Sequence, residues 1–197
     1  MKQEGIKMFR KFYILVTVVI CLFILGGCMG RTGLTKDQIT QLVNDNLELL
    51  NNAVLEIYNL DESIFLIANT RFRNPPVDVD FRGLYTSGTI DGRNVVKPLD
   101  SPVLHELLKD GRIISISIRR ADGEINQIVF GCRGRGIFDR YKGFYFSPNN
   151  EPFWSDRTLW INPQPKGNGW VIDGERTYFY TEKIVDYWYY FELLSNR

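Results

Sequence analysis

The sequence holds one histidine, His105, and three cysteines, Cys21, Cys28 and Cys132. A metal site built from several imidazoles is excluded by that count, and so is a zinc site built from paired cysteines. An excess of charge of either sign is also missing: 24 basic residues stand against 23 acidic ones. A balance this close to neutral argues against a nucleic-acid partner and against a polybasic membrane patch. Long apolar runs are scarce. The main one, Phe12 to Leu25, is broken only by Thr17, and it is well short of the ~20 residues that a spanning helix needs.

What precedes and follows that run gives it a meaning. Lys2, Lys7, Arg10 and Lys11 make a positive start, and Gly26-Gly27-Cys28 closes the segment. Charge, a short apolar core and then small residues is the order of a secretory signal. The end of the segment resembles a lipobox, in which the cysteine thiol takes a diacylglycerol group and the chain is cut before it. Residues 1–27 are therefore expected to be a lipoprotein signal peptide. Residues 28–34 are expected to be a short tether carrying acyl chains such as palmitate at Cys28, and residues 35–197 one α+β domain. An uncleaved membrane anchor is the alternative. Loss of residues 1–27 removes four basic residues and Glu4, leaving 20 against 22. Cys21 leaves with the signal and Cys28 becomes a thioether, so only Cys132 keeps a thiol and no internal disulfide is expected. The expected location is the extracytoplasmic face of the cell membrane, with the membrane itself as a partner through the lipid. Six residues between the lipid and the first helix reach only about 20 Å, which keeps the domain close to that surface.

Thr35 with Gln38 three residues later has the form of a capping box, and Asp37 suits the first turn of a helix. Ile39, Leu42, Val43, Leu47, Leu50, Val54, Ile57 and Tyr58 recur at helical spacing. The pattern predicts one long helix over 36–59 with this face buried. Residues 61–100 read less sharply. Ile64 to Ala68 either continues the helix or begins a strand, Asn74-Pro75-Pro76 is a break, and Val79, Phe81 and Leu84-Tyr85 alternate with polar residues. Asp91-Gly92 marks a turn between short strands. Ser101-Pro102 opens a second helix that Gly111 is expected to close as a C-cap. Ile114, Ile116 and Ile118, the turn Asp122-Gly123, and Ile125 to Phe130 form the clearest hairpin. Strands are expected at 143–147, 159–161, 170–172, 177–181 and 187–193. The predicted architecture is α+β: a long N-terminal helix packed on a curved antiparallel sheet built mainly from residues 112–194. A roll of the cystatin or NTF2 kind is one version of it, by analogy.

Three groups of residues are candidate sites. Seventeen of the 27 aromatic residues lie between Phe138 and Phe191. Trp154, Trp160, Trp170, Trp188 and Tyr190 either stack on a sugar or peptide or fill a core. Trp154, in a loop rich in proline and asparagine, is the one least needed for packing. Gly131-Cys132-Arg133-Gly134-Arg135-Gly136 either holds an anion on Arg133, Arg135 and backbone NH groups or is a run of bulges and turns. It lacks the lysine and the Ser/Thr of a P-loop. Cys132 with His105 is a conceivable nucleophile pair, against a buried Cys132 and an exposed His105. The carboxylates Asp156, Asp173, Glu175, Glu182 and Asp186 give no spacing that identifies a glycosidase, and Asp173 and Asp186 read as turn residues.

Gly143 to Pro148, Gly169-Trp170, Tyr178 to Lys183 and Asp186 to Tyr190, together with the Gly-rich stretch 131–136, resemble a family of small uncharacterised lipoproteins of Gram-positive bacteria. The resemblance implies the lipoprotein address and no catalytic residue. The expected function is a non-catalytic binding module for a wall polymer or protein, with Trp154, Trp160, Arg133 and Arg135 as contact residues and no cofactor or metal. The alternatives are an envelope enzyme using Cys132 or a carboxylate pair, and an inhibitor or immunity-type protein.

Overall fold

A computed structural model describes residues 33–132, 140–152, 163–174 and 177–195. Cys28, Arg133, Arg135, Trp154, Asp156, Trp160 and Glu175 lie outside the described residues, as does the strand expected at 159–161.

The predicted first helix is two helices, α1 (Lys36–Asp45) and α2 (Leu47–Tyr58). Thr35 and Gln38 form the expected capping box. The break is at Asn46, whose side-chain amide donates to the Leu42 carbonyl at 2.8 Å. An amide that bonds the backbone locally competes with the helical ladder, and apolar periodicity does not register that competition. Tyr58, counted on the buried face, is 43% exposed, while Leu50, Ala53, Val54 and Ile57 are buried. The third helix, α3 (Pro102–Leu108), is capped by Ser101, whose hydroxyl accepts from Leu104 N at 3.0 Å and donates to the Glu56 carboxylate of α2. Lys109 rather than Gly111 is its C-cap.

Ten strands form one antiparallel open sheet among the described residues. They are β1 (Ile64–Asn69), β2 (Leu84–Ile90), β3 (Arg93–Pro98), β4 (Ile113–Ala121), β5 (Glu124–Cys132), β6 (Arg140–Phe146), β7 (Gln164–Lys166), β8 (Gly169–Gly174), β9 (Thr177–Val185) and β10 (Trp188–Ser195). The order β3-β2-β1-β4-β5-β6-β10-β9-β8-β7 makes three short meanders, because α3 carries the chain back from β3 to lay β4 beside β1. The segment Ile64–Asn69, left open between helix and strand by its sequence, is a strand. Val79 and Phe81 lie in irregular backbone between β1 and β2. Asp173 sits inside β8 opposite Tyr178, not in a turn.

Both Asp-Gly pairs turn hairpins with positive φ at each central residue: Asp91 +50° and Gly92 +74°, Asp122 +51° and Gly123 +83°. That is the twist two-residue hairpins require. In β4 the register shifts between Ile113 and Ser115. Ile113, Ile116 and Ile118 therefore enter the core and Ile114 does not. Each outer strand carries a proline and a lysine (Lys97 and Pro98 in β3, Pro165 and Lys166 in β7), which blunts edge-to-edge pairing.

α1 packs against β6, β10 and β9, and α3 against β4 and α2. The main core lies on this helix-covered face and includes Ile39, Leu50, Ile57, Phe130, Phe144, Trp188 and Tyr190. Tyr189 and Phe191 alternate to the opposite face and form a second cluster with Val129, Tyr145, Ile172 and Phe179. β10 pairs with β6 on one side and β9 on the other. Its central place explains why both faces of Tyr187–Phe191 are aromatic. Among the described residues no helix is long and apolar enough to cross a membrane.

Candidate functional site

The aromatic set does not form an open surface where it is described. Trp188 and Tyr190 are each 1% exposed and belong to the core, and Trp170 is half-buried. Trp188 instead donates from its indole nitrogen to Asn51 Oδ1 of α2 at 3.3 Å.

Cys132 is buried in the main core. Burial pushes its thiol up to about 12, against a smaller opposing pull from Arg112. A thiol held protonated is a poor nucleophile. His105 is exposed on α3, whereas Cys132 is buried. The pair reads as two unrelated side chains.

The strand register assembles a polar ladder that the sequence does not announce. Tyr190 faces Glu182, and Glu192 faces Tyr180 and Lys142. Glu182 takes an ion pair from Lys36 of α1 and a hydrogen bond from the Tyr180 hydroxyl. Glu192 takes Lys142 at 3.2 Å and the Tyr190 hydroxyl at 3.3 Å. Burial works against the Glu182 charge, but the bonds from Lys36 and Tyr180 outweigh it and hold the carboxyl below its usual range. Burial and then the neighbouring carboxylates raise the Tyr180 and Tyr190 hydroxyls. A Glu182 carboxyl held below its usual range and two phenols held above theirs, each already partnered, are not poised to exchange a proton near neutral pH. The ladder fastens α1 to the sheet.

Glu182→Gln should therefore destabilise the fold near neutral pH, by no more than about 1 kcal/mol because Lys36 is 41% exposed and solvent screens the pair. A lowered native pKa makes this contribution full above the ordinary carboxylate range and removes it as the pH falls through the native value. Urea unfolding across a pH series checks this. The difference from wild type should vanish on the acid side, and a difference that does not change with pH contradicts it.

Open chemistry lies elsewhere, in a groove of about 1120 Å³ between the 69–83 segment and α3. The Thr70 amide donates to Gly83 O at 2.9 Å, and the Gly83 amide to Thr70 Oγ1 at 3.0 Å, closing the segment into a loop. Asn69 Oδ1 accepts from Arg71 N and fixes the exit from β1. The ring of Phe72 covers Gly111, where an added Cβ would meet ring carbon Cζ at 2.8 Å, so the loop is held against the turn that follows α3. Val77, Val79 and Phe81 give the groove an apolar part, and Arg71, Arg82, His105 and Lys109 give it polar ones. Of these residues only His105 was a candidate for chemistry in the sequence; Val79 and Phe81 were noted there as alternating strand positions. The visible signal was a proline-bearing stretch bracketed by Asn69-Thr70 and Gly83. Ser87 Oγ and Gln127 Oε1 also lack partners, but at 0% and 3% exposure a ligand does not reach them. Among the described residues no group of three or more His, Cys, Asp or Glu side chains is arranged to hold a metal ion.

The class that fold and groove define is an α+β protein with helices on a large open antiparallel sheet and a polar groove at one end of β1 and β2. Comparison with known families, with curated proteins and with solved structures finds no match to this chain.

Proposed function

We propose that the chain is an exported lipoprotein on the extracytoplasmic face of the cell membrane, tethered through Cys28, whose domain is a non-catalytic binding module for a cell-envelope ligand. The observation that carries the binding reading is the groove. Exposed guanidinium groups border a concave apolar surface there, while the thiol and the carboxylate–tyrosine ladder are buried or already partnered. The family of small Gram-positive lipoproteins that the sequence resembles fits this reading. So does a roll of the cystatin or NTF2 kind, which the strand bulges in β1, β4 and β10 favour because bulges bend a sheet. Trp154, Trp160, Arg133 and Arg135 remain candidate contact residues of the same module.

Two measurements test the reading. Cys28→Ser should move the protein from the membrane fraction to the soluble fraction; two acyl chains anchor a protein stably and none does not. Persistence in the membrane would remove the lipid tether. Full chain in uncharged detergent should be retained on isolated cell-envelope material. Absence of retention would remove the binding module. Retention that Trp154→Ala with Trp160→Ala leaves unchanged would remove sugar stacking by those rings.

A further inference from the structure

β3 (Arg93–Pro98) ends the sheet, and its outer side meets no strand among the described residues. The register decides which of its backbone groups face outward. Leu99 N donates to Leu84 O, and β3 keeps that alignment with β2 from Tyr85↔Pro98 to Ile90↔Arg93. Hydrogen-bonded pairs alternate along an antiparallel ladder, so Arg93, Val95 and Lys97 bond to β2. Asn94, Val96 and Pro98 turn their backbone groups outward. Thr89, which faces Asn94, donates its amide away from β3 to Ser63 O, as this phase requires. Pro98 has no N–H and blunts its end of the edge. Asn94 and Val96 each present one N–H and one C=O, a template for a further strand.

A cavity of about 490 Å³ lies at this edge, lined by Val96 and by Val77 to Phe81. Val96 and Phe81 pack with Leu66, Ala68 and Tyr85. Those three alternate with Ile67 and Leu84 of the main core, so the cavity is on the face away from the helices. The Tyr85 hydroxyl donates to Arg73 O at 3.4 Å and ties down the chain that leads into the 77–81 wall. Four lining residues are apolar, Asp78 and Asp80 are carboxylates, and none is a cation. Arg93 and Lys97 alternate to the other face of β3.

We infer that β3 takes an extended segment of a partner protein as an added antiparallel strand, with a lysine or arginine of that segment seated in the cavity. This rests on the binding-module reading and names the class of its partner. The partner residue paired with Val96 stands on the same face, with Cβ atoms about 5 Å apart, and so over the cavity. A lysine there lays its apolar stem along the valine and phenylalanine wall and carries its ammonium to the carboxylates. The residue before it faces Lys97 and the third residue after it faces Arg93, where glutamate suits both. A second copy of this chain is a poor occupant. Pairing Asn94 of one β3 with Val96 of another sets Arg93 against Lys97, and like charges directly opposed destabilise a ladder.

The test is titration of the full chain in uncharged detergent with a short, blocked, threonine-rich peptide carrying Glu-Lys-Thr-Thr-Glu at its centre, with amide exchange followed by NMR. Saturable binding is expected. Exchange should slow at the Asn94 and Val96 amides and not change at Val95, already bonded to β2. Norleucine for the lysine keeps the stem without the charge, and D78N/D80N removes the carboxylates; each should weaken binding at least about fivefold. N94P removes one outward N–H and should weaken it similarly. Asp78, Asp80 and Asn94 are exposed, so melting temperatures should not move. A peptide methylated on the lysine backbone nitrogen should bind at least about tenfold more weakly, since it loses a ladder bond and crowds the edge. Equal binding by the methylated peptide, equal binding by D78N/D80N, or unchanged exchange at Asn94 and Val96 overturns the inference. Envelope material that retains the protein while the peptide does not bind overturns the edge site and leaves the module. Peptide binding with no retention on envelope material overturns the envelope module and leaves the edge site.

Discussion

Gly143→Val should cost more than about 4 kcal/mol, at the extreme of single substitutions. Gly143 lies in β6 between Gly131 of β5 and Phe191 of β10. Any Cβ there falls inside the van der Waals envelope of the Phe130 carbonyl oxygen and comes within 3.0 Å of Phe191 Cε1. The first obstacle is backbone, so no rotamer change relieves it. The strand must shift, and with it a register that runs unbroken from β5 through β6 to β10. Domains are stable by about 5–15 kcal/mol, so the loss is a large share of the total. A melting point lowered by about 10 °C or more is expected, at roughly 2–4 °C per kcal/mol for a chain of this size. Gly123→Ala is the control. Its φ of +83° is unfavourable for alanine, but nothing lies within 4 Å of an added Cβ, so the cost should be about 1–2 kcal/mol. A Gly143→Val protein that melts within a few degrees of wild type would mean that β5, β6 and β10 are not aligned as described.

Trp188→Ala should cost about 3–5 kcal/mol. The indole is 1% exposed. Its ring centroid lies 5.5 Å from Phe130, 5.9 Å from Phe144 and 5.4 Å from Phe146, the last edge-on. Phe130 and Phe144 stack on one another at 4.9 Å, so three strands meet under one side chain. Truncation leaves a cavity, and it also leaves Asn51 Oδ1 without the indole NH that ties α2 to the sheet. Trp188→Phe keeps most of the apolar contact and should recover more than half of the loss. Urea midpoints at constant m-value measure both. If Trp188→Ala is as stable as wild type but fails to bind envelope material, the indole belongs to a binding surface and not to the core.

Where one residue decides a local conformation, the sequence was readable. Asp122-Gly123 and Asp91-Gly92 demand positive φ and gave hairpins. Ser101-Pro102 and Thr35 with Gln38 gave helix starts from side-chain hydrogen bonding alone. The run Tyr187–Phe191, aromatic on both faces, left open a central strand or one with a face lining a surface, and the pairing of β10 with both β6 and β9 decides for the first. Misreadings arose where two local demands compete or where distant segments meet. Asn46 sits within an unbroken apolar periodicity and ends α1 through its own side chain. Ile114 alternates correctly in sequence, yet a bulge gives its core place to Ile113. The ladder of Glu182, Tyr180, Glu192, Tyr190 and Lys142 depends on register across β6, β10 and β9. The groove depends on a neck closed by hydrogen bonds between Thr70 and Gly83, and spacing along the chain carries no trace of that.

The tether is the premise beneath the proposed function, and the mass of the N-terminal peptide of the native protein tests it most directly. A peptide that begins at Cys28, lacks residues 1–27 and carries the added mass of a diacylglycerol on sulfur is the expected result. A peptide that begins at Met1 with Cys28 unmodified contradicts it.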